Sequence, residues 1–378
     1  MGYFNDVENV NNRKKMIYYY VFLRNNKFIR MTHHIGYKKI QDGYIVKLAI
    51  LEDGKNNELR KDVKRQNIKT AKMRCSKALV LDIYKFNECE KTRIDKGYGL
   101  YDTNFCYEVG KEIEVNDYDD NLTNICSTGI HYFLSEEPAF FWNFNFDNYT
   151  GECKEYYENG QLWCQSFYKD GKMDGEYKWY YEKGKLRCQS FYKDGILHGE
   201  YKEYHENGQL RCQSFYKDGK LDGEYKEYYD NGKLMCQSLY KDGKRDRECK
   251  EYHENGQLSC QSFYKDGKMD GECKEYYENG QLMCQTFYKD GERNGEYKWY
   301  HENGQLMCQE FYKDGERDGV CKWYYENGQL MYQEFYKDGK LDGEYKEYYE
   351  NGQLRYQRFY KDGKRHGAKL YYENDGKL

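Results

Sequence analysis

The residues best suited to chemistry in this sequence are cysteines that recur every 24 residues. Thiols at regular intervals could form disulfides or bind a soft metal ion such as Zn²⁺. This column contains Cys164, Cys188, Cys212, Cys236, Cys260, Cys284 and Cys308. If each period spans two strands of a sheet, neighbouring thiols lie about 9 to 10 Å apart, too far for a disulfide or a shared zinc ion. We therefore expect packing thiols and no metal site.

Two other columns point the same way. Cysteine alternates with tyrosine at Cys153, Cys249, Cys273 and Cys321, which is typical of a half-buried position that accepts either residue. Histidine replaces tyrosine at His205, His253 and His301, about 48 residues apart, a spacing too wide for one metal ion. We expect these histidines to be surface or groove aromatics.

Outside the columns, the candidates for catalysis are Cys126 with His131, and the pair His33-His34. No CxxC motif accompanies them, and no general base, oxyanion motif or phosphate-binding glycine loop can be named. We therefore expect no enzymatic activity and no cofactor. An enzyme in the N-terminal part that uses Cys126 or His131 is kept as an alternative.

Composition excludes further classes. The net charge is −4, from 61 basic and 65 acidic residues, so no overall field attracts nucleic acid. No apolar run approaches 18 residues, which predicts no membrane span. The segment Met1 to Asn12 lacks the apolar core of a signal peptide, so we expect an intracellular protein that is not secreted.

From Gly151 onwards the sequence repeats every 24 residues, and two glycine-containing turns mark each unit. In the unit Leu210 to Lys233, the turns are Asp218-Gly219 and Asn231-Gly232, which lie between β-favouring segments. Such dipeptides favour type I′ hairpins. The array is therefore predicted to be an antiparallel meander with two-residue loops at both turns, and the Asp218-Gly219 turn could instead belong to one longer loop from Lys217 to Gly223. Gly223 would leave room for a tyrosine ring across it.

Alternation along the strands predicts one apolar, aromatic face and one polar face. The aromatic face is expected to carry Leu210, Cys212, Ser214, Tyr216, Leu221, Gly223, Tyr225, Glu227 and Tyr229. The opposite face is expected to carry Arg211, Gln213, Phe215, Glu224, Lys226 and Tyr228. No helical segment separates the strands, so nothing covers the sheet.

These patterns predict a mainly β protein: an elongated single-layer antiparallel β-hairpin repeat array of nine to ten units, residues 147–378, after a small α+β capping domain, residues 1–146. In the cap, Ile17 to Leu23, Tyr44 to Leu51 and Lys77 to Tyr84 favour strands, and Glu58 to Lys72 favours a loop or short helix. Ser135 should cap a short helix. The aromatic residues Phe140, Phe141, Trp142, Phe144 and Phe146 should cover the first strand of the array.

The segments Tyr216 to Tyr225 and Tyr228 to Gly232, which recur nine times, resemble the MORN repeat in its antitoxin-like variant form. This resemblance implies a hairpin array that contacts proteins or, in some members, lipids. The segments Lys77 to Ile83, Phe105 to Gly110 and Cys126 to Leu134 resemble a domain of unknown function that precedes repeat arrays in giant-virus and phage proteins. That resemblance implies a giant-virus type of protein, located in the host cytoplasm or the virion, and it supplies no activity to carry over.

The expected function is non-enzymatic binding of a protein partner by large aromatic side chains on the exposed layer. The candidate residues are Trp163, Trp179, Trp299, Tyr300, Trp323 and Tyr324. One alternative, by family analogy, is an antitoxin-like neutraliser of a partner protein. Another is a peripheral phospholipid-binding protein that uses the turn lysines Lys217, Lys220, Lys241 and Lys244. Association of copies through the open C-terminal edge is a further hypothesis.

Overall fold

The computed structural model describes residues 19–22, 28–86 and 92–372. The chain divides into two compact units, residues 1–195 and 196–378. As the sequence predicts, the chain is mainly β: a small N-terminal domain precedes an antiparallel sheet whose strands follow one another in chain order.

The N-terminal part of the first unit contains short strands and one α-helix among its described residues. Five strands form a sheet in the order β1-β2-β3-β5-β8, and two strand pairs, β4–β9 and β6–β7, accompany it. The elements are β1 (Tyr19–Phe22), β2 (Phe28–Lys39), β3 (Tyr44–Leu51), β4 (Met73–Cys75), β5 (Lys77–Lys85), β6 (Lys96–Tyr98), β7 (Cys106–Glu108), β8 (Glu112–Glu114), β9 (Ile130–Tyr132) and α1 (Glu136–Phe141). The 3-10 helices are Gln41–Gly43 and Arg65–Asn67.

The predicted strands in this part are largely confirmed. Strand β3 has the predicted bounds, and β5 ends one residue later than expected. Strand β1 falls inside the predicted Ile17 to Leu23, whose ends lie outside the described residues. Helix α1 begins after Ser135 as expected, but the Ser135 hydroxyl donates to the Lys69 carbonyl (3.0 Å) and does not cap the helix.

Five further strands of the first unit open the repeat array. They are β10 (Gly151–Tyr156), β11 (Leu162–Lys169), β12 (Lys172–Met173), β13 (Gly175–Tyr180) and β14 (Leu186–Lys193). The aromatic residues after α1 pack on this first repeat: Phe140 and Phe141 share a core with Cys153, and Phe146 stacks on Tyr168 with centroids 4.3 Å apart. These contacts provide the expected cover of the first strands.

The described residues of the second unit form β-strands and turns, and no helix. The strands are β15 (Ile196–Tyr204), β16 (Leu210–Lys217), β17 (Lys220–Leu221), β18 (Gly223–Tyr228), β19 (Leu234–Lys241), β20 (Lys244–Tyr252), β21 (Leu258–Lys265), β22 (Lys268–Met269), β23 (Gly271–Tyr276), β24 (Leu282–Lys289), β25 (Glu292–Arg293), β26 (Gly295–Tyr300), β27 (Leu306–Lys313), β28 (Glu316–Arg317), β29 (Gly319–Tyr324), β30 (Leu330–Lys337), β31 (Lys340–Leu341), β32 (Gly343–Tyr348), β33 (Leu354–Lys361) and β34 (Lys364–Tyr371). Each two-residue strand and the strand after it pair with the same preceding strand, as β17 and β18 both pair with β16.

The two turns of each repeat differ in length. Asp218 and Gly219 both have positive φ (49° and 77°), and Lys217 pairs with Lys220, so this is the two-residue type I′ turn. At the other turn, the Tyr229 amide donates to the Lys233 carbonyl (2.9 Å), and the Gly232 amide donates to the Tyr229 carbonyl (2.8 Å). The expectation of a two-residue loop there is wrong: the loop has three residues and ends at a glycine with positive φ.

A β-bulge beside the longer turn changes the predicted faces. Glu203 pairs with Cys212 and Tyr204 with Leu210, so Arg211 is the extra residue. Because paired residues share a face, Leu210 lies opposite Cys212, and the prediction for Leu210 is wrong. The prediction for Arg211 is also wrong, since its Nη1 reaches Glu203 Oε1 (3.3 Å) on the Cys212 side.

Candidate functional site

In the second unit, the aromatic face is the side of the sheet that carries Cys212, Ser214, Tyr216 and Tyr225. Its small residues are buried although no second layer lies above them among the described residues of this unit: Cys212 is 9% exposed and Ser214 is 1% exposed. Tyrosines from neighbouring strands meet edge to face over them, as do Tyr201 and Tyr216 with centroids 5.8 Å apart. The tyrosine rings therefore cover the thiols and hydroxyls of the same layer, and this packing takes the place of a core between two layers.

Trp299 and Trp323 both lie on this face, where most repeats carry glutamate. Trp299 pairs with Cys284 and Cys308 and is 36% exposed. Trp323 pairs with Cys308 and Tyr332. An exposed indole on an otherwise covered face is a typical anchor for a binding partner.

The structure separates two other candidates from these tryptophans. Tyr300 pairs with Leu306 and Tyr324 pairs with Leu330, so both lie on the opposite face. The Tyr300 carbonyl accepts a hydrogen bond from the Tyr277 hydroxyl (2.8 Å), which links neighbouring repeats.

Beyond Trp323, aromatic rings follow one another across the strands, in a row that we call the aromatic ladder. It consists of Trp323, Tyr332, Tyr345, Tyr356 and Tyr371, with successive centroids 5.8, 6.2, 5.4 and 5.6 Å apart. Tyr356 is 6% exposed, whereas Tyr371 is 59% exposed. The ladder thus joins a buried row of rings to an accessible end.

Cations flank the ladder near its C-terminal end. The Arg358 guanidinium lies 4.3 Å from the Tyr356 centroid, and the Lys369 ammonium lies 4.1 Å from that of Tyr371. Sequence reasoning missed these residues, although one signal was available: tyrosine replaces cysteine in the 24-residue column at Tyr332 and Tyr356. The arrangement offers an apolar surface edged by positive charge.

The first unit contains the remaining tryptophan candidates. Trp163 lines a cavity of about 300 Å³, together with Phe141, Trp142 and Tyr156. Trp179 lies under the Arg187 guanidinium, 4.1 Å from the ring centroid, and its indole nitrogen is buried without a hydrogen-bond partner. Trp163 therefore borders an open site, while Trp179 is covered by a neighbouring side chain.

The histidine column follows the tyrosines that it replaces. His205 Nε2 lies 3.1 Å from the Tyr228 carbonyl oxygen, and His253 Nε2 lies 2.9 Å from that of Tyr276. Tyr229 makes the same contact through its hydroxyl, 2.6 Å from the Tyr252 carbonyl. His205 and His253 therefore link neighbouring repeats, whereas His301 Nε2 is buried without a hydrogen-bond partner among the described residues.

The cysteine columns meet in a way that reasoning within single columns overlooked. Cys236 pairs with Glu251, and Ser238 pairs with Cys249, so the two thiols lie diagonally on neighbouring strands. The sulfur atoms of Cys236 and Cys249 and a Glu251 oxygen all lie within 4.8 Å of one another. A hydrogen bond with Cys236 lowers the pKa of the Cys249 thiol. Two sulfurs and a carboxylate could hold a metal such as Zn²⁺, so the argument from spacing that excluded a shared metal fails here.

The candidates Cys126 and His131 line one cavity in the first unit. Cys126 Sγ lies 3.2 Å from Lys72 Nζ and 2.9 Å from Glu158 Oε1. His131 Nε2 lies 2.9 Å from the Ile125 carbonyl oxygen, and burial lowers the pKa of His131 to about 4. His34 contacts Glu58 (2.8 Å), and the side chain of His33 lies outside the described residues.

The turn lysines are exposed on the two-residue turns. Lys217 pairs with Lys220 and Lys241 pairs with Lys244, each pair flanking an Asp-Gly turn. The Asp242 amide donates to Asp222 Oδ2 (3.2 Å) between successive turns. Carboxylates are thus interleaved with these lysines. No helix in the described ranges is long and apolar enough to cross a membrane.

The consecutive antiparallel strands define a protein built from β-hairpin repeats. The model of the MORN repeat variant matches nine segments, 149–170, 173–194, 197–218, 221–242, 248–266, 269–290, 293–314, 317–338 and 341–362. The chain belongs to this family, whose repeats generally bind proteins or lipids. Residues 21–139 match a family of unknown function (DUF5758).

Other comparisons add little. No curated protein matches the chain. A solved structure titled "Crystal Structure of TcdB2-TccC3-Cdc42" is similar at 10% identity with a TM-score of 0.15. The match covers 92% of this chain and 19% of that one, so the present chain spans about a fifth of its length. This likeness carries no argument about fold or function.

Proposed function

We propose that the protein is a non-enzymatic interaction protein that binds a partner protein through the aromatic face of its second unit. The observation that carries this proposal is the exposed Trp299 together with the aromatic ladder, which leads from Trp323 to the exposed Tyr371. Large aromatic residues on an accessible layer supply most of the binding energy in many protein interfaces. Membership of a family that binds proteins or lipids supports the same class of function.

The charges beside the ladder favour a partner with a mixed apolar and acidic surface. Arg358 and Lys369 lie over ladder tyrosines, where each ammonium or guanidinium group can also meet a carboxylate. The ring-lined surface would bury against apolar side chains of the partner, and the cations would orient it.

The chain itself supplies the test variants. Most repeats carry glutamate where Trp299 and Trp323 stand, for example Glu227 and Glu275. The double variant W299E/W323E should therefore fold, yet lose partner binding by tenfold or more. A matched control is Phe311→Leu on the opposite face, because Leu239 occupies the same column in another repeat.

The measurement is affinity purification with the full chain, followed by titration of the partner recovered. Loss of binding in W299E/W323E, with binding kept in F311L, supports the proposal. Equal binding by both variants and the native chain overturns it. Neutralisation of a toxic partner would appear as a loss of cell rescue in the same variant. If phospholipid binding were the function, liposome association would instead disappear when Lys217, Lys220, Lys241 and Lys244 become glutamine.

A further inference from the structure

The first unit contains a cavity of about 210 Å³ whose wall carries three lysines. Lys38 and Lys39 come from the end of β2, and Lys72 precedes β4. The aromatic rings of Tyr101, Phe133 and Trp142 also line this cavity. Residues remote in sequence thus bring three ammonium groups and three flat apolar surfaces to one small space.

The positive charge in this cavity is only partly compensated. Lys39 Nζ donates to the carbonyl oxygens of Phe140 (3.0 Å) and Asn143 (3.3 Å). Lys72 Nζ lies 3.5 Å from Glu158 Oε1. Lys38 has no hydrogen-bond or ion-pair partner within the ranges that the structure describes. Charges that are partly removed from water are normally paired in proteins, so the half-buried and unpaired ammonium of Lys38 beside a cavity indicates a missing anion.

The surroundings of Lys38 add to this imbalance. Burial, together with the charge of Lys72, lowers the pKa of Lys38 to about 8, and burial lowers the pKa of Lys39 to about 8. His131, on the same wall, has a pKa of about 4 and is neutral at pH 7. The fold therefore places ammonium groups where burial disfavours their charged form, and a bound anion would stabilise that form.

The aromatic part of the wall is held in place. Trp142 Nε1 donates to the Tyr101 hydroxyl (3.2 Å), and the Trp142 and Phe133 rings have centroids 5.7 Å apart. Lys72 Nζ lies 4.5 Å from the Trp142 centroid, so charge and ring are adjacent. A ligand that meets Lys72 would place its apolar part against the indole.

We propose that this cavity binds a small organic anion with a flat apolar body. Its acidic group would lie between Lys38 and Lys72, and its body would lie against Trp142 and Phe133. Pockets for drug-sized ligands usually measure about 300 to 1,000 Å³, so the ligand is smaller, on the scale of a benzoate or an aryl phosphate. This site is separate from the aromatic face of the second unit and does not depend on the function proposed for it.

The test is a thermal unfolding titration of the full chain with phenyl phosphate as the probe. Phenol, which lacks the charge, and inorganic phosphate, which lacks the ring, are the probe controls. Phenyl phosphate should raise the melting temperature of the native chain more than either control does. In the variant Lys38→Met the dissociation constant should rise at least tenfold. Lys64→Met, at an exposed position outside the cavity, should behave like the native chain.

Lys38→Met should also be more stable than the native chain in the absence of the probe, because it removes a partly buried ammonium that has no counter-charge among the described residues. Lys72→Met provides a second variant, and it should weaken phenyl phosphate binding as well. The proposal is overturned if phenyl phosphate fails to stabilise the native chain at millimolar concentration. It is equally overturned if phenyl phosphate stabilises Lys38→Met to the same extent, or if inorganic phosphate matches its effect.

Discussion

Phe335 packs against Gly343 so closely that a side chain at residue 343 would place its Cβ 2.9 Å from Phe335 Cβ. The same contact between phenylalanine and glycine recurs at Gly175, Gly223, Gly271, Gly295 and Gly319. In one further repeat, both residues are replaced. There, Leu239 stands for phenylalanine and Arg247 stands for glycine. It is a phenylalanine, and not the expected tyrosine, that the structure places over Gly223. The ring and the missing side chain therefore form one packing unit.

Gly343→Ala should destabilise the second unit by about 3 kcal/mol. The residue has φ of 138°, where a side chain costs about 1 to 2 kcal/mol, and the contact with Phe335 adds a steric clash. Gly328→Ala is the matched control, since Gly328 also has positive φ (83°) but faces open space. It should lose only about 1 kcal/mol. Urea unfolding of the two variants checks this, and equal losses would refute the packing argument.

The exceptional repeat predicts a coupling between residues 239 and 247. Arg247 has φ of 66°, and β20 runs unbroken from Lys244 to Tyr252 where most repeats have two strands. Leu239→Phe alone should destabilise, because the larger ring meets a backbone that carries a side chain. Leu239→Phe with Arg247→Gly should recover most of the loss. A double-mutant cycle should give a coupling of about 1 kcal/mol or more, and additive effects would contradict the pairing.

A second pair of residues departs from the repeat pattern and places an ion pair among the buried residues of the aromatic face. Glu310 is 2% exposed where most repeats have serine, and its Oε1 lies 2.7 Å from Arg317 Nη2. Arg317→Met should cost about 3 kcal/mol, because it leaves a buried carboxylate without its cation. Glu310→Ser combined with Arg317→Met restores residues that other repeats use, and its stability should return close to the native value. Fluorescence-monitored unfolding separates these outcomes.

The local sequence predicted some of the turns and strands correctly and others incorrectly. The strand Tyr44–Leu51 and the Asp218-Gly219 turn follow from β-branched runs and from a dipeptide that tolerates positive φ. The Asn231-Gly232 loop did not follow, because its length depends on hydrogen bonds between Tyr229 and Lys233. The accompanying bulge reverses the alternation beyond Cys212, and no pattern in the residues predicts it.

The candidate sites could also be predicted only in part from the local sequence. Trp299 and Trp323 stand out as substitutions in a column, and the structure places both on the aromatic face. Tyr300 lies on the other face because alternation along its strand puts it opposite Trp299. The cavity around Lys38, Lys72 and Trp142 could not be predicted, since tertiary folding alone brings these residues together.

The charge on Lys38 should give the stability of the first unit a specific pH dependence. The folded-state pKa of about 8 lies below the unfolded value of about 10.5. Below pH 8 both states are protonated, and the folded state bears the full penalty, about 3 kcal/mol at most. Between pH 8 and 10.5 the folded state releases its proton first, so the penalty fades as pH rises.

Lys38→Met should therefore melt at a higher temperature than the native chain at pH 7, and the difference should shrink above pH 8 and vanish near pH 10.5. The other groups that face Lys38, including Lys39, Lys72, His131 and Cys75, are present in both proteins, so the comparison isolates residue 38. Lys64→Met should show no such trend. A difference that stays constant from pH 7 to 10.5 would mean that packing of the methionine, and not the charge of Lys38, determines the stability change.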